Sequence, residues 1–424
     1  MLAVSAATAS WATSPGRDHG HSPLHSQTVA MTSTGERVFL DQAGLDRLIP
    51  GTRALDPETA AAQQAWLAEG TVPGAGGRWE SMARTALLDL RVLTTEDGAA
   101  TAGWSTRWRY VWPRDSAFVA AAFARTGHPA DAERVLAFLQ RVQPGSGRFQ
   151  ARYLPDGSGA TPDDRGEEQD GAGWALWSTA QLASAVQDPQ RRVATLHRLR
   201  PLLTRSTRAC LAVLAEGNGL PLPGLDYWEI PQDRPTLGLA APIRVGLAAA
   251  PALLREVGEP ALAAAAATAA ADLDRRITTH FGAHGYPREL GGQARDAALT
   301  VLMPPFRRTP PGAALLTAWR LAQGELRRPA GGLAPGGDWR RDGVSWTPET
   351  ALFALTAAET GQHGVAAGWL DWLDAHRTAA GSLAEKVQAN GQPAAVAPLA
   401  WSAALVVLAI ESQTENHPFV VTTG

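Results

Sequence analysis

The sequence is poor in cysteine and lysine and carries little excess charge of either sign. Its 424 residues hold one cysteine, Cys210. A lone thiol excludes an internal disulfide and any cysteine-rich metal site. Its neighbours, "TRSTRACLAVLAE", are helix-like, so Cys210 reads as a buried structural thiol. Lysine occurs once, at Lys386, and every other basic residue is arginine or histidine. The formal net charge of -3 removes the electrostatic case for nucleic acid or an anionic membrane. No apolar run reaches the roughly 18 residues of a transmembrane segment. HExxH, Walker A and CxxC patterns are missing. "GGLAPGG" precedes no strand-to-helix phosphate turn, and "AWSAAL" is not a nucleophile elbow. Neither a metal nor a cofactor is expected.

What is abundant is apolar: 45% of residues are hydrophobic, and tryptophan (15) outnumbers phenylalanine (9) and tyrosine (4). The indole joins a wide apolar face to one N–H, which suits stacking on sugar rings as well as filling a core. The N-terminal "MLAVSAATASWATSPGRDHGHS" has a small-residue tract ending at Ser10-Trp11-Ala12, like a signal cleavage site, but no basic n-region or full h-region. It reads either as the tail of a signal peptide that begins upstream or as a disordered leader. A secreted or cell-envelope location is expected ahead of a cytoplasmic one. His19, His21 and His25 read as a flexible tract, not a metal site. Residues 1–50 are expected to be an irregular leader and residues 51–424 one helical domain.

From residue 56 onward alanine and leucine dominate and β-branched runs are scarce. "DPETAAAQQAWLAEG" starts with Asp-Pro-Glu and stops at glycine, as a punctuated helix does. About twelve further helical segments follow, near 78–94, 115–127, 130–143, 170–186, 190–216, 236–256, 259–280, 296–303, 311–323, 348–360, 363–379 and 397–412. Their connections alternate. "TGHPAD", "VQDPQ" and "VGEPA" are short links with Gly or Pro, as in αα-hairpins. The links before the even-numbered segments are long and hold most of the polar and aromatic residues. The even segments, such as "GAGWALWSTAQLASAV", are apolar all round and so read as buried; odd ones carry an arginine-rich outer face. An inner ring of six helices inside an outer six fits both patterns. A helical solenoid also alternates, but its loops are of similar length. The expected fold is all-α, an (α/α)6 barrel with an irregular N-terminal extension, its six long loops converging on one mouth.

Two carboxylates stand out in those loops: Glu229 in "LDYWEIPQDRP" and Glu385 in "GSLAEKVQANG". A closed ring would set them facing each other, and a pair of carboxylates flanking a bond is what glycoside hydrolysis needs. Lys386 either helps keep Glu385 ionised or is a solvated neighbour. "RYVWPRDSAF" offers Arg114 and Asp115, a donor fork and acceptors for vicinal hydroxyls. Asp115 and Asp170 are N-caps, hydroxyl ligands, or both. Tyr110, Trp112, Trp228, Trp339, Trp346 and Trp401 are candidate substrate contacts or walls. Trp66, Trp79, Trp319, Trp369 and Trp372 sit at helical spacing and read as core. Glu167 and Glu168 lie in a charge run and read as solvated.

The stretches "RYVWPRDSAFVAAAFARTGH", "EEQDGAGWALW", "DYWE", "RDAALTVLMP" and "GSLAEKVQANGQPAAVAPLAWSAA" resemble glycoside hydrolase family 15, the glucoamylase and glucodextranase group. They follow the family's order over roughly residues 78–412, and the family's fold is an (α/α)6 barrel. The resemblance implies Glu229 as general acid, Glu385 as the base that activates water with inversion, and Arg114 with Asp115 holding the non-reducing-end glucose. It departs in "GGLAPGGDWRRDG", where Pro335 and Gly336 stand in place of Arg and Tyr, with Arg340 and Arg341 as substitutes. It departs again where Glu385-Lys386 replaces Glu-Gln. The family's bacterial members often carry an N-terminal β-sandwich, for which this chain has no room. The expected activity is exo-acting, inverting release of glucose from α-glucosides by a monomer or weak dimer. The alternatives are a catalytically altered glycan-binding member, or a sugar isomerase or epimerase, whose paired histidines would have to start from His284.

Overall fold

The computed structural model describes residues 23–414, so the Ser10-Trp11-Ala12 tract, His19 and His21 lie outside the described residues. In chain order the helices are α1 (Pro57–Glu69), α2 (Glu80–Leu93), α3 (Pro113–Arg125), α4 (Pro129–Val142), α5 (Gly171–Ala185), α6 (Pro189–Arg198) and α7 (Arg200–Glu216). There follow α8 (Leu237–Glu256), α9 (Pro260–His280), a 3-10 helix at Ala297–Leu302, α10 (Ala313–Glu325), α11 (Thr347–Glu359), α12 (His363–Ala375) and α13 (Ala400–Thr414). Proline opens many of them, where its missing N–H costs nothing. Asp56 caps α1 by accepting from Thr59 N at 2.9 Å.

Six elements close into an inner ring. α3 packs on α5, α5 on α8, α8 on the 3-10 helix, that helix on α11, α11 on α13, and α13 on α3. Their outer partners are, in the same order, α4, α7, α9, α10, α12 and α2. This is the (α/α)6 toroid expected from the alternation of wholly apolar and amphipathic segments. α3 is buried on every side from Pro113 to Ala124. α8 is long and apolar enough to cross a membrane, but here it is a mostly buried member of the ring.

Two segments differ from expectation. The stretch 190–216 breaks at Leu199 into α6 and α7, because Pro201 has no N–H to bond the carbonyl four residues back. The eighth segment is a short 3-10 helix, begun by Asp296, which accepts from Ala298 N at 3.0 Å, and followed by Pro304 and Pro305.

The leader is a correction. Residues 28–40 were expected to be irregular, yet β1 (Thr28–Met31) and β2 (Arg37–Leu40) form an antiparallel pair, Thr28 opposite Leu40. The pair is bonded into the helical domain. Thr378 Oγ1 donates to Gln27 O at 2.6 Å, and Ser382 Oγ to Thr28 Oγ1 at 2.8 Å. Buried Arg53 donates to Asp89 on α2 and to Ser382 Oγ. A second small sheet joins β3 (Ser345–Trp346), β4 (Lys386–Val387) and β5 (Pro393–Ala394) in that order.

The core assignments hold. Trp319 is fully buried, Trp66, Trp79 and Trp369 are buried, and Trp372 is half-buried. Burial pushes the Cys210 thiol up to about 12, as suits a structural thiol. Small residues let the inner helices touch backbone to backbone. A Cβ on Gly173 of α5 would lie 2.3 Å from Pro242 O of α8, and one on Gly246 would lie 2.5 Å from Gly173 O. Neither backbone can yield without opening the ring. Gly173→Ala is therefore expected to destabilise the fold by about 1–3 kcal/mol, read as a lower urea midpoint with an unchanged slope.

Candidate active site

All inner helices enter the ring from the same end, so their positive N-termini gather at one mouth. Trp112 is the N-cap of α3, and Pro113, Arg114 and Asp115 form its first turn. Asp115 is thus not the N-cap, and its carboxylate is free for other partners. Asp170 does stand at the N-cap of α5, but its side chain accepts from Trp174 Nε1 at 3.0 Å instead of capping.

Arg114 is the hub. Its Nη1 pairs with Glu168 and lies 3.6 Å from Asp170 Oδ2. Its Nη2 lies 3.5 Å from Asp115 Oδ2 and 3.9 Å from Glu229 Oε1. The guanidinium sits 4.8 Å over the Trp401 ring. Below it Phe118, Trp174, Tyr227, Pro242, Leu352 and Trp401 line a small apolar cavity. Glu168 is 3% exposed, so its reading as a solvated residue is wrong. The charge run looks solvated only until Arg114 is brought to it. Burial, tempered by Arg114, pushes Asp115 and Asp170 each up to about 6. It raises Glu168 well above its ordinary value, also against the pull of Arg114.

Glu229 ends a tight turn. Its N–H donates to Asp226 O at 2.7 Å, and Trp228 N donates to Asp226 Oδ1 at 3.0 Å. Its φ of 54° is left-handed, a conformation that costs a non-glycine residue about 1–3 kcal/mol. A platform beneath the turn holds it. Buried Arg288 donates to both oxygens of Asp226, at 2.9 and 2.8 Å, and to Asp296 Oδ2 at 2.7 Å. Tyr227 OH donates to Asp296 Oδ2 at 3.0 Å, and the Arg288 guanidinium lies 3.6 Å over the Trp228 ring. Burial raises Asp296 and Tyr227 above their ordinary values, against the pull of Arg288. The Glu229 carboxylate accepts from Trp112 Nε1 at 2.8 Å and pairs with Arg165.

Glu385 precedes β4. Its N–H donates to Val396 O at 2.9 Å, and its carbonyl accepts from Thr347 N at 3.1 Å. Its carboxylate accepts from Trp108 Nε1 at 3.3 Å and lies 3.3 Å from Lys386 Nζ. Lys386 Nζ is also 4.3 Å from the Trp346 ring centroid. Lys386 is thus a paired neighbour of Glu385, not a solvated one.

The aromatic residues picked from the sequence line the approach to these carboxylates. Arg152 stacks on Tyr110 and Trp112, at 4.7 and 5.0 Å. Trp228, Trp339 and Trp346 form an edge-to-face chain, with centroids 4.8 and 5.5 Å apart. The indole nitrogens of Trp228, Trp339, Trp346 and Trp401 are buried without a hydrogen-bond partner, as are Glu168 Oε2 and Asp115 Oδ2, the latter with only the ion-pair contact to Arg114. Such donors and acceptors suit a hydroxyl-rich ligand. Among the described residues no cluster has a metal-binding donor set. Sequence reading missed Trp108, Arg165, Glu349, the Asp226–Arg288–Asp296 platform and His25. The missed Glu349 resembles Asp115, since each follows a proline in the first turn of an inner helix.

Known structures share this architecture. A wild-type glycosidase matches with a TM-score of 0.69 at 21% identity, over 82% of this chain and 98% of its own. Glucoamylase from Saccharomycopsis fibuligera matches with 0.66 at 13%, over 83% and 96%. A bacterial glucoamylase complexed with acarbose gives 0.65 at 15%, over 84% of this chain and 61% of that longer one. The fold is that of the glucoamylases. No family model and no curated protein sequence matches the chain.

The Pro335-Gly336 departure has a structural reason on this fold. Pro335 O accepts from Tyr227 OH at 3.2 Å, and a Cβ on Gly336 would meet the Trp228 ring at 2.4 Å. This stretch buttresses the Glu229 turn, while Arg340 and Arg341 are exposed at the rim.

Glu349 tests the site's electrostatics. Burial, with Glu385 adding, pushes it from 4.5 up to about 8, against the opposing pull of its own backbone N–H, Arg114 and Lys386. The native state then keeps a proton that the unfolded chain releases near 4.5, so stability falls as pH rises from about 4.5 to about 8. Glu349→Gln removes this contribution. Between pH 5 and pH 8 the unfolding free energy of the wild type is expected to drop by about 2–4 kcal/mol more than that of the variant in urea titrations.

Proposed function

We propose that the chain is a glycoside hydrolase related to family 15, releasing glucose by inversion from the non-reducing ends of α-glucosides. Glu229 is the general acid and Glu385 the general base. One observation carries this reading: a single segment anchors both carboxylates. Trp108 donates to Glu385 and Trp112 to Glu229. Trp108 and Trp112 are four residues apart, so their backbones lie within about 14 Å of each other, which supports reading the two glutamates as a pair at one pocket. The acid protonates the leaving glycosidic oxygen. The base takes a proton from water as that water attacks the anomeric carbon from the opposite face. Arg114 and Asp115 grip the terminal sugar's hydroxyls, with Trp401 and Trp228 beside it. The side chains packed under Arg114 close the pocket floor, which favours chain ends over internal bonds. The acarbose bound by the bacterial glucoamylase of the same fold supports a carbohydrate ligand.

A glycan-binding protein without catalysis is less well supported. The altered loop that motivates it packs under the Glu229 turn and leaves both carboxylates in place. An isomerase reading lacks its histidine pair, since His284 is exposed. Glu229→Gln and Glu385→Gln are each expected to slow glucose release from maltose, isomaltose, dextran or trehalose by on the order of a hundredfold or more. Full activity in both variants refutes the assignment. Binding of these sugars to the wild type without release of reducing sugar selects the glycan-binding reading instead.

A further inference from the structure

The N-terminal leader reaches the proposed base by two routes. Along the backbone, Leu24 bridges to Ala395 in parallel fashion. His25 N donates to Ala395 O at 2.9 Å, and Ala395 N donates to Pro23 O at 3.1 Å. Ser26 Oγ adds a buried bond to Ala397 O at 2.7 Å. Ala395 has φ 65°, the left-handed region that costs an L-residue about 1–2 kcal/mol. The leader thus holds both backbone polar groups of the strained residue. The next carbonyl, that of Val396, accepts the N–H of Glu385.

The second route runs through side chains. His25 Nδ1 lies 3.1 Å from Ser105 Oγ, and the His25 ring packs edge-on against Trp108, with centroids 5.2 Å apart. That same Trp108 donates to the Glu385 carboxylate. A segment that merely tethered β1 would need neither contact. Here the backbone anchor and the side-chain anchor of one glutamate are both braced by four consecutive residues.

We infer that residues 23–26 form a positioning strap for Glu385, with His25 its central positioning residue. The inference rests on reading Glu385 as the base. Displacing a reacting group by about 1 Å can cost up to a hundredfold in rate, so the strap acts on turnover more than on substrate binding.

The test compares the full chain with deletions of residues 1–22 and 1–26, the point variant His25→Ala, and Glu385→Ala as control. The substrate is α-glucosyl fluoride, with and without sodium azide. Azide carries no proton to remove, so it attacks the anomeric carbon as fluoride leaves, gives the β-azide, and bypasses the base. Deletion of 1–22 is expected to leave kcat unchanged. Deletion of 1–26 is expected to lower kcat by about tenfold with little change in KM, and azide is expected to restore much of the loss, as in Glu385→Ala. His25 is exposed, so His25→Ala is expected to fold; it should show a smaller loss with the same azide response. Wild-type kcat in both the 1–26 deletion and His25→Ala overturns the strap. A loss that azide does not restore, while it restores Glu385→Ala, also overturns it. An unslowed Glu385→Ala refutes the base assignment instead.

Discussion

A buried guanidinium organises the mouth. Arg114 faces Glu168, Asp170, Asp115 and Glu229, which come from the loop before α5, the first turn of α3 and the loop before α8. Arg165 also pairs with Glu229, but one guanidinium does not neutralise Glu168, Asp170 and Asp115, and burial makes the imbalance costly. The inner-helix N-termini offset part of this, and burial together with mutual repulsion raises Asp115, Glu168 and Asp170 against the pull of Arg114. This polar centre sits directly above an apolar ring core. The ring therefore serves two ends: its hydrophobic interior stabilises the fold, and its shared polarity gathers charge at one opening.

The second centre repeats the arrangement. Arg288 holds Asp226 and Asp296 at zero exposure, so the turn that presents Glu229 rests on a rigid base. Both glutamates sit beside left-handed non-glycine residues: Glu229 is itself one, and Ala395 adjoins the backbone anchor of Glu385. Such strain survives only where the surroundings over-determine the backbone. Arg288 supplies that constraint beneath the Glu229 turn, and the leader's bonds to Ala395 supply it next to the Glu385 anchor.

The architecture was legible because its signal is local. Wholly apolar helices such as α5 and α13 contrast with arginine-faced ones such as α7, and Gly or Pro marks the tight links. Glu229, Glu385, Arg114 and Asp115 were legible as polar residues in long loops and through the family motifs. The rest depended on partners far along the chain. Glu168 looks solvated until Arg114, 54 residues away, is folded against it. Arg288 and Asp226 are 62 residues apart, and His25 and Ser105 are 80. No local window contains such a pair, so Glu168 was read as solvated and His25 as part of a flexible tract. The division of 190–216 at Leu199 was legible in Pro201 but was outweighed by the helical composition around it.

Two carboxylates each held by a tryptophan of one segment support the proposed pairing of acid and base, in which water attacks directly. The most direct measurement is proton NMR of the first glucose released from an α-linked glucoside, taken before mutarotation mixes the anomers. The account predicts β-glucose as the initial product. Initial release of α-glucose would mean a covalent intermediate and would contradict the assignment of Glu385 as a base acting on water.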